Sequence, residues 1–168
     1  MKKAFTLVEF LIYIALFSIT ATMVTSLVVK FIQTTRTINA LKEIQENEKI
    51  AIDTISQEVK QSLGVYIPTS VFGTNPGQLS LETKNYLPPQ EQTTYVDFYV
   101  DGQGIYRKRE NEAPSRITSQ GVEVTNFTTV LISQAQIPAI RIDLTLASTD
   151  LPNSSFPISF TVSLRSNQ

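Results

Sequence analysis

A single carboxylate, Glu9, stands at the start of a long apolar run and raises the first question of chemistry. The chain opens MKKAFTLVEFLIYIALFSI, and no residue between Phe10 and Val29 carries a charge. A carboxylate is costly to place in lipid, so Glu9 needs a role that offsets this cost. One role is a place in the headgroup layer near the positive end of a helix, where an anion is mildly favoured.

The rest of the chain offers few groups for catalysis or metal binding. Cysteine and histidine are both absent, which excludes disulfides, thiolate or imidazole metal sites, a cysteine nucleophile and a Ser-His-Asp triad. Asp97 and Asp101 could offer oxygens to a hard cation such as calcium, but their spacing matches no loop of that kind. We therefore expect no enzyme, no metal, no cofactor and no small-molecule substrate.

One short segment, DGQGIYRKR, combines two glycines with a basic cluster, Arg107–Arg109. The remaining glycine of a dinucleotide fingerprint is missing and no helix follows, so a hairpin turn is the better interpretation. The cluster could contact nucleic acid through phosphates, but Glu110 and Glu112 follow at once and favour a solvated strand face. The chain has 14 basic and 15 acidic residues, a balance that argues against a dedicated nucleic-acid binder.

The apolar run from Phe10 to Val29 is long enough to cross a bilayer. It is longer than the apolar core of a secretory signal peptide, which predicts a retained membrane anchor. Lys2 and Lys3 precede it and favour a cytoplasmic N-terminus, although Lys30 and Arg36 weaken this bias.

Helical periodicity continues past the apolar run. Apolar residues recur mostly three and four positions apart, with a gap around Glu48, at Ile38, Leu41, Ile44, Ile52, Ile55, Val59 and Leu63. Gly64 is a plausible C-terminal cap, and Pro68 prevents continuation. The pattern predicts one helix from about Phe5 to about Leu63, with an apolar first half and an amphipathic second half.

The sequence pattern of the remainder of the chain is typical of strands and turns. We predict strands at 78–83, 93–100, 105–109, 122–131, 140–147 and 158–164, with the clearest hairpin around DGQG. Strands without intervening helices imply an antiparallel sheet, covered by the amphipathic half of the long helix. The predicted fold class is α+β, with a long N-terminal helix packed on a C-terminal antiparallel β-sheet domain.

A basic leader and a small residue, followed by FTLVE opening a long apolar helix, closely resemble the N-terminus of type IV pilin-like proteins. The resemblance implies that prepilin peptidase cuts between Ala4 and Phe5 and that Phe5 is then N-methylated. Most of the family has glycine before the cut, and alanine is small enough that we expect cleavage here. Lys2 and Lys3 are the charges of the leader.

The resemblance also implies a role for Glu9, which becomes the fifth residue after cleavage. In family assemblies this glutamate is thought to pair with the N-terminal amine of a neighbouring subunit, here that of Phe5. Burying either charge alone is expensive, so the pair acts as a register device. The implied partners are other pilin or pseudopilin subunits, prepilin peptidase and the membrane, while nucleic acid is left open.

More faintly, ISQEVKQSLGV, YVDFYVDGQGIYRKR and FTVSLRSN resemble the minor pilins and minor pseudopilins described as J-like or W-like. The implied organisation is a leader at 1–4, a transmembrane and filament-core helix at 5–32, an amphipathic helix at 33–64 and a β-rich domain at 65–168. The implied location is the bacterial cytoplasmic membrane, single-pass, and then a surface or periplasmic filament. Two alternatives stay open: an uncleaved, signal-anchored binding module, and a membrane-anchored enzyme.

Overall fold

The fold was analysed in a computed structural model, which describes residues 6–87, 89–133 and 138–165. One helix, α1, covers Leu7–Gln61, in close agreement with the helix predicted from the sequence. The chain divides into two compact units, Met1–Asn39 and Ala40–Gln168, so that α1 contributes to both. The second unit contains the strands and the hydrophobic core.

The part of α1 in the second unit buries one face. Its buried residues are spaced mostly three and four apart: Ala40, Ile44, Asn47, Ala51, Ile55, Glu58 and Val59. The predicted core positions Ile44, Ile55 and Val59 are confirmed, whereas Ile38 is exposed. The gap in the apolar pattern around Glu48 is explained by Asn47, a buried polar residue that the hydrophobic pattern does not reveal.

The strands form two antiparallel sheets, not the single sheet expected. The five-stranded sheet has the order β1 to β5: Gly64–Val65, Gln78–Thr83, Thr94–Asp101, Gly104–Arg109 and Ser115–Arg116. The three-stranded sheet has the order β6 to β8: Val122–Ile132, Ala139–Ser148 and Leu151–Ser163. One core joins α1 to both sheets, and its largest buried side chains are Phe98 on β3 and Phe127 on β6. The α+β class is confirmed.

The two sheets are joined by hydrogen bonds from the loop before β2 to the backbone of β6 and not by a continuous pairing of strands, which is why the single-sheet expectation was wrong. The Asn75 side chain donates to the Thr125 carbonyl at 3.1 Å and accepts from the Phe127 amide at 3.0 Å. The Gly77 amide donates to the Phe127 carbonyl at 2.7 Å. The loop that precedes β2 therefore covers the free edge of β6, and its polar backbone groups are satisfied there.

The DGQG hairpin is confirmed, with β3 paired to β4 from Val96–Arg109 to Asp101–Gly104. Gly102 and Gln103 have φ of +50° and +66°, the backbone signature of a type I′ turn. The turn twists with the strands, which favours tight pairing of the hairpin.

Two other expectations were wrong. Gly64 does not cap α1: the helix ends at Gln61, the Leu63 amide donates to the Glu82 carbonyl at 2.7 Å, and Gly64 begins β1. The last strand, β8, begins at Leu151, seven residues earlier than predicted. Its early residues include two prolines and read as a loop, but an edge strand tolerates proline.

Candidate functional site

Glu9 lies in the first turn of α1, where it forms a reciprocal pair with Thr6. The Glu9 Oε2 atom accepts hydrogen bonds from the Thr6 backbone amide at 3.1 Å and from the Thr6 hydroxyl at 3.0 Å. The Thr6 Oγ1 atom in turn accepts from the Glu9 amide at 3.3 Å. This geometry is a capping box, which satisfies two of the amides that every helix leaves unpaired at its N-terminus.

Sequence reasoning identified Glu9 but missed Thr6. The signal was present, because Ser or Thr followed three positions later by an acidic residue, just before an apolar run, predicts a capping box. The other residues predicted for processing and assembly, Lys2, Lys3, Ala4 and Phe5, lie outside the described residues.

The surface of α1 beyond Glu9 is apolar and open to its surroundings. Within the described residues, α1 is the one helix long and apolar enough to cross a membrane, and its most apolar window has mean hydropathy 2.1 with nothing buried. Large side chains such as Leu7, Phe17 and Phe31 are more than two-thirds exposed. So large an apolar surface calls for lipid or other apolar helices around it.

Hydroxyl side chains along this apolar surface bond back to their own helix. Ser18 donates to the Ile14 carbonyl at 2.8 Å, and Thr22 donates to the Ser18 carbonyl at 2.8 Å. The same backward bond is made by Thr20, Thr25, Ser26, Thr35 and Thr37. These hydroxyls need no partner outside the helix, so they are compatible with an apolar environment.

The basic cluster Arg107–Arg109 is divided between the two faces of β4. Arg109 Nη2 lies 2.9 Å and Arg107 Nη1 lies 3.5 Å from the same oxygen, Oε1 of the buried Glu58 on α1. Lys108, on the opposite face, is exposed. The expectation of a solvated basic strand face was therefore wrong for both arginines, which tie the sheet to the helix.

The environment of Arg109 holds it charged. Burial by itself lowers the pKa of its guanidinium. The hydrogen bond and the charge of Glu58, together with smaller electrostatic effects of Tyr86 and Glu112, outweigh burial, so that the pKa is raised. A raised pKa means that the stabilisation is complete below the unfolded-state value and is lost only as the pH rises through the folded-state value. Both values are strongly alkaline, so the ion pair persists at physiological pH.

Comparison with known proteins bears on the start of α1. Residues 1–25 match the family model described as the prokaryotic N-terminal methylation motif. No curated protein and no solved structure gave a significant match. The similarity therefore covers residues 1–25, which include the capping box and the first apolar turns of α1, and it does not extend to the β-rich unit.

The motif and the helix together indicate a class of protein. They support a type IV pilin-like protein, a processed structural subunit anchored in a membrane by one span. They also support assembly with other pilin subunits and processing by prepilin peptidase. The motif indicates a structural subunit. Among the described residues, no group of three or more acidic side chains could hold a metal ion.

Proposed function

We propose that this chain is a minor pilin or minor pseudopilin of the J-like or W-like group, serving a type IV filament or a type II secretion-like machine. Prepilin peptidase cuts between Ala4 and Phe5, removes the leader with Lys2 and Lys3, and methylates the new N-terminus. The subunit leaves the cytoplasmic membrane of the bacterium for a surface or periplasmic filament. Residues 5–32 enter the filament core, the helix continues from residue 33 to its end at Gln61, and the strands that follow form the outward domain.

The observation that carries this proposal is the carboxylate held at the start of an exposed apolar helix. Both hydrogen bonds that Thr6 gives to the Glu9 carboxylate reach Oε2. Oε1 can then accept a cation brought by another subunit, and the N-terminal amine of Phe5 is the cation that processing creates. A carboxylate buried in the filament without that amine would be strongly unfavourable, so subunits with the wrong register are rejected.

Three substitutions separate the intersubunit role of Glu9 from its capping role. Glu9→Gln removes the charge but keeps an oxygen that can complete the capping box, since glutamine also serves at this position. Thr6→Ala removes the cap and keeps the charge, at a cost of about 1 kcal/mol to the helix. Glu9→Ala removes the charge and both bonds that the carboxylate accepts, and it leaves the bond from the residue-9 amide to the Thr6 hydroxyl. Incorporation into filaments is measured by shearing and immunoblotting, with membrane levels as the reference.

We expect Glu9→Gln and Glu9→Ala to abolish incorporation to a similar extent, and Thr6→Ala to retain most of it. The matched control is Glu46→Ala, which removes an exposed carboxylate on the same helix. Normal incorporation of Glu9→Gln would contradict the charge-pairing role and leave capping as the function of Glu9.

Processing is tested separately by mass spectrometry of the protein purified from its native membrane. The expected mature chain begins at Phe5 and is heavier by one methyl group. A chain that still carries Met1 or Lys2 would contradict processing and favour the uncleaved, signal-anchored binding module.

A further inference from the structure

The outer face of the five-stranded sheet, opposite the core, carries a shallow groove. Along β3 the buried Val96 and Phe98 face the core, whereas Tyr95, Asp97 and Tyr99 alternate with them and face outward. The groove has a volume of about 250 Å³, and Tyr66, which follows β1, lines it together with Tyr95. All of its lining residues belong to the second unit.

Aromatic rings supply the apolar surface of this groove. The rings of Tyr66 and Tyr95 are 4.6 Å apart and inclined by 49°. Two residues beyond Asp97, Tyr99 stacks on Tyr106 of β4, with centroids 6.1 Å apart and an angle of 18°. Tyr95 and Tyr99 are separated by four residues of one strand, or roughly 13 Å. The face therefore presents two aromatic platforms along one line.

Every other side chain that lines the groove is polar. Asp97, Glu110 and Asn111 offer oxygens, and Lys108, directly opposite Asp97 in the strand pairing, offers an ammonium group. Grooves that recognise peptides provide apolar pockets for the side chains of their ligand. The absence of any aliphatic side chain from this lining argues against a peptide and favours a ligand rich in hydroxyl groups.

The charges on this face disfavour nucleic acid. Asp97 and Glu110 line the groove beside Lys108, and Glu82 lies opposite Tyr95 on the same face of the sheet, so that carboxylates outnumber the ammonium group on this part of the surface. Binding to nucleic acid depends on neutralising phosphates with basic side chains, and this surface would repel them. A ligand without negative charge fits better.

We propose that this groove binds a neutral saccharide. One sugar ring packs its C–H face on Tyr95, while its hydroxyls donate to the Asp97 carboxylate and accept from Lys108. The Tyr99–Tyr106 platform extends the site along β3, so a linear oligosaccharide binds more tightly than a single sugar. The filament subunit would thereby carry a contact for the glycan of a cell wall or a surface.

The test uses the full chain in a zwitterionic detergent that has no sugar headgroup. The chain contains six tyrosines and no tryptophan, and four of the six, Tyr66, Tyr95, Tyr99 and Tyr106, belong to the two aromatic platforms, so intrinsic tyrosine fluorescence is sensitive to binding there. The probes are the linear hexasaccharides of N-acetylglucosamine, cellulose and maltose, followed by fluorescence and by titration calorimetry. An oligothymidylate and a proline-rich peptide are titrated in parallel.

We expect saturable binding of at least one hexasaccharide, and weaker binding of the matching monosaccharide. Asp97→Asn keeps the shape of the side chain and should weaken binding about tenfold, because a charged acceptor is lost. Tyr95→Ala should weaken it by at least as much. Asp150→Asn, in an exposed turn of the other sheet, is the matched control and should bind normally.

Three results would overturn the proposal: no saturable binding of any hexasaccharide, wild-type affinity in both Asp97→Asn and Tyr95→Ala, or binding of only the oligonucleotide or the peptide. Circular dichroism of each variant checks that it is folded, so that a loss of saccharide binding is caused by the change in the groove and not by unfolding. The measurement needs no filament, so its result does not depend on whether the chain assembles.

Discussion

Removing the Glu58 carboxylate should destabilise the β-rich unit more than removing any other acidic side chain on α1. Glu58 is 6% exposed and holds Arg109, 15% exposed, at 2.9 Å. In Glu58→Ala the guanidinium stays between helix and sheet, and its remaining partners are Glu112 at 3.8 Å and the Tyr86 ring at 3.7 Å. Breaking a buried ion pair from one side costs about 3–5 kcal/mol. The residual exposure of Arg109 places the expected loss near the lower value.

The assay is thermal and urea unfolding of the full chain in detergent, followed by tyrosine fluorescence and circular dichroism. A loss of about 3 kcal/mol corresponds to a fall in the midpoint of roughly 10 °C for a domain of this size. Arg107→Ala should cost less than Glu58→Ala, because Arg107 lies farther from the carboxylate, at 3.5 Å, and is 25% exposed.

A double-mutant cycle isolates the interaction from the burial of the two side chains. Glu58→Ala combined with Arg109→Ala should be less destabilising than the sum of the single changes, by about 1–3 kcal/mol. The control is Glu46→Ala, which removes an exposed pair with Lys42 and should change stability by less than 1 kcal/mol. If Glu58→Ala were no more harmful than this control, the assignment of a structural ion pair would be refuted.

Three further predictions concern the packing of the second unit. Phe127→Ala removes a fully buried ring and should cost about 3–5 kcal/mol in urea unfolding, and a loss below 1 kcal/mol would contradict its place in the core. Asn47→Ala removes the acceptor of the Ser119 amide at 2.6 Å and should accelerate hydrogen exchange of that amide, whereas unchanged exchange would disprove the contact. Gln103→Gly relieves a positive φ in the hairpin turn and should raise the free energy of unfolding by about 0.5–1 kcal/mol, measured as a higher urea midpoint. A lower midpoint would exclude a strained turn.

The sequence predicted those features of the fold that depend on local pattern. The long helix followed from apolar spacing, and the hairpin followed from alternation around DGQG. The division into two sheets could not be predicted, because it rests on long-range bonds such as that of Asn75 to the backbone of β6. The early start of β8 was hidden for a similar reason, since pairing with β7 overrides the local preference of a segment rich in proline and serine.

Of the candidate sites, only the residues at the start of the helix could be predicted from the sequence. Glu9 is conspicuous because charge is absent around it, and Thr6 could have been recognised from its spacing to Glu9. The partner of Arg109 could not have been recognised, because Glu58 lies 51 positions away and its sequence context is that of any charged residue on an amphipathic helix. The groove beside Tyr95 could not be predicted either, because Tyr66, which packs on Tyr95 and lines the groove, lies in a segment that has the sequence of a loop.

The backward-bonded hydroxyls of α1 have a thermodynamic consequence for any change of surroundings. A polar group that exchanges partners during transfer contributes to the free energy of the transfer and to its barrier. Ser18, Thr22 and their neighbours already donate hydrogen bonds to carbonyls of the same helix. In the assembly proposed above, packed side chains would replace the lipid tails around this segment, and these hydroxyls would have no bond to break. The free-energy difference between the two environments then depends on dispersion contacts and on the charges near the start of the helix, and Glu9 is the residue whose substitution should change it most.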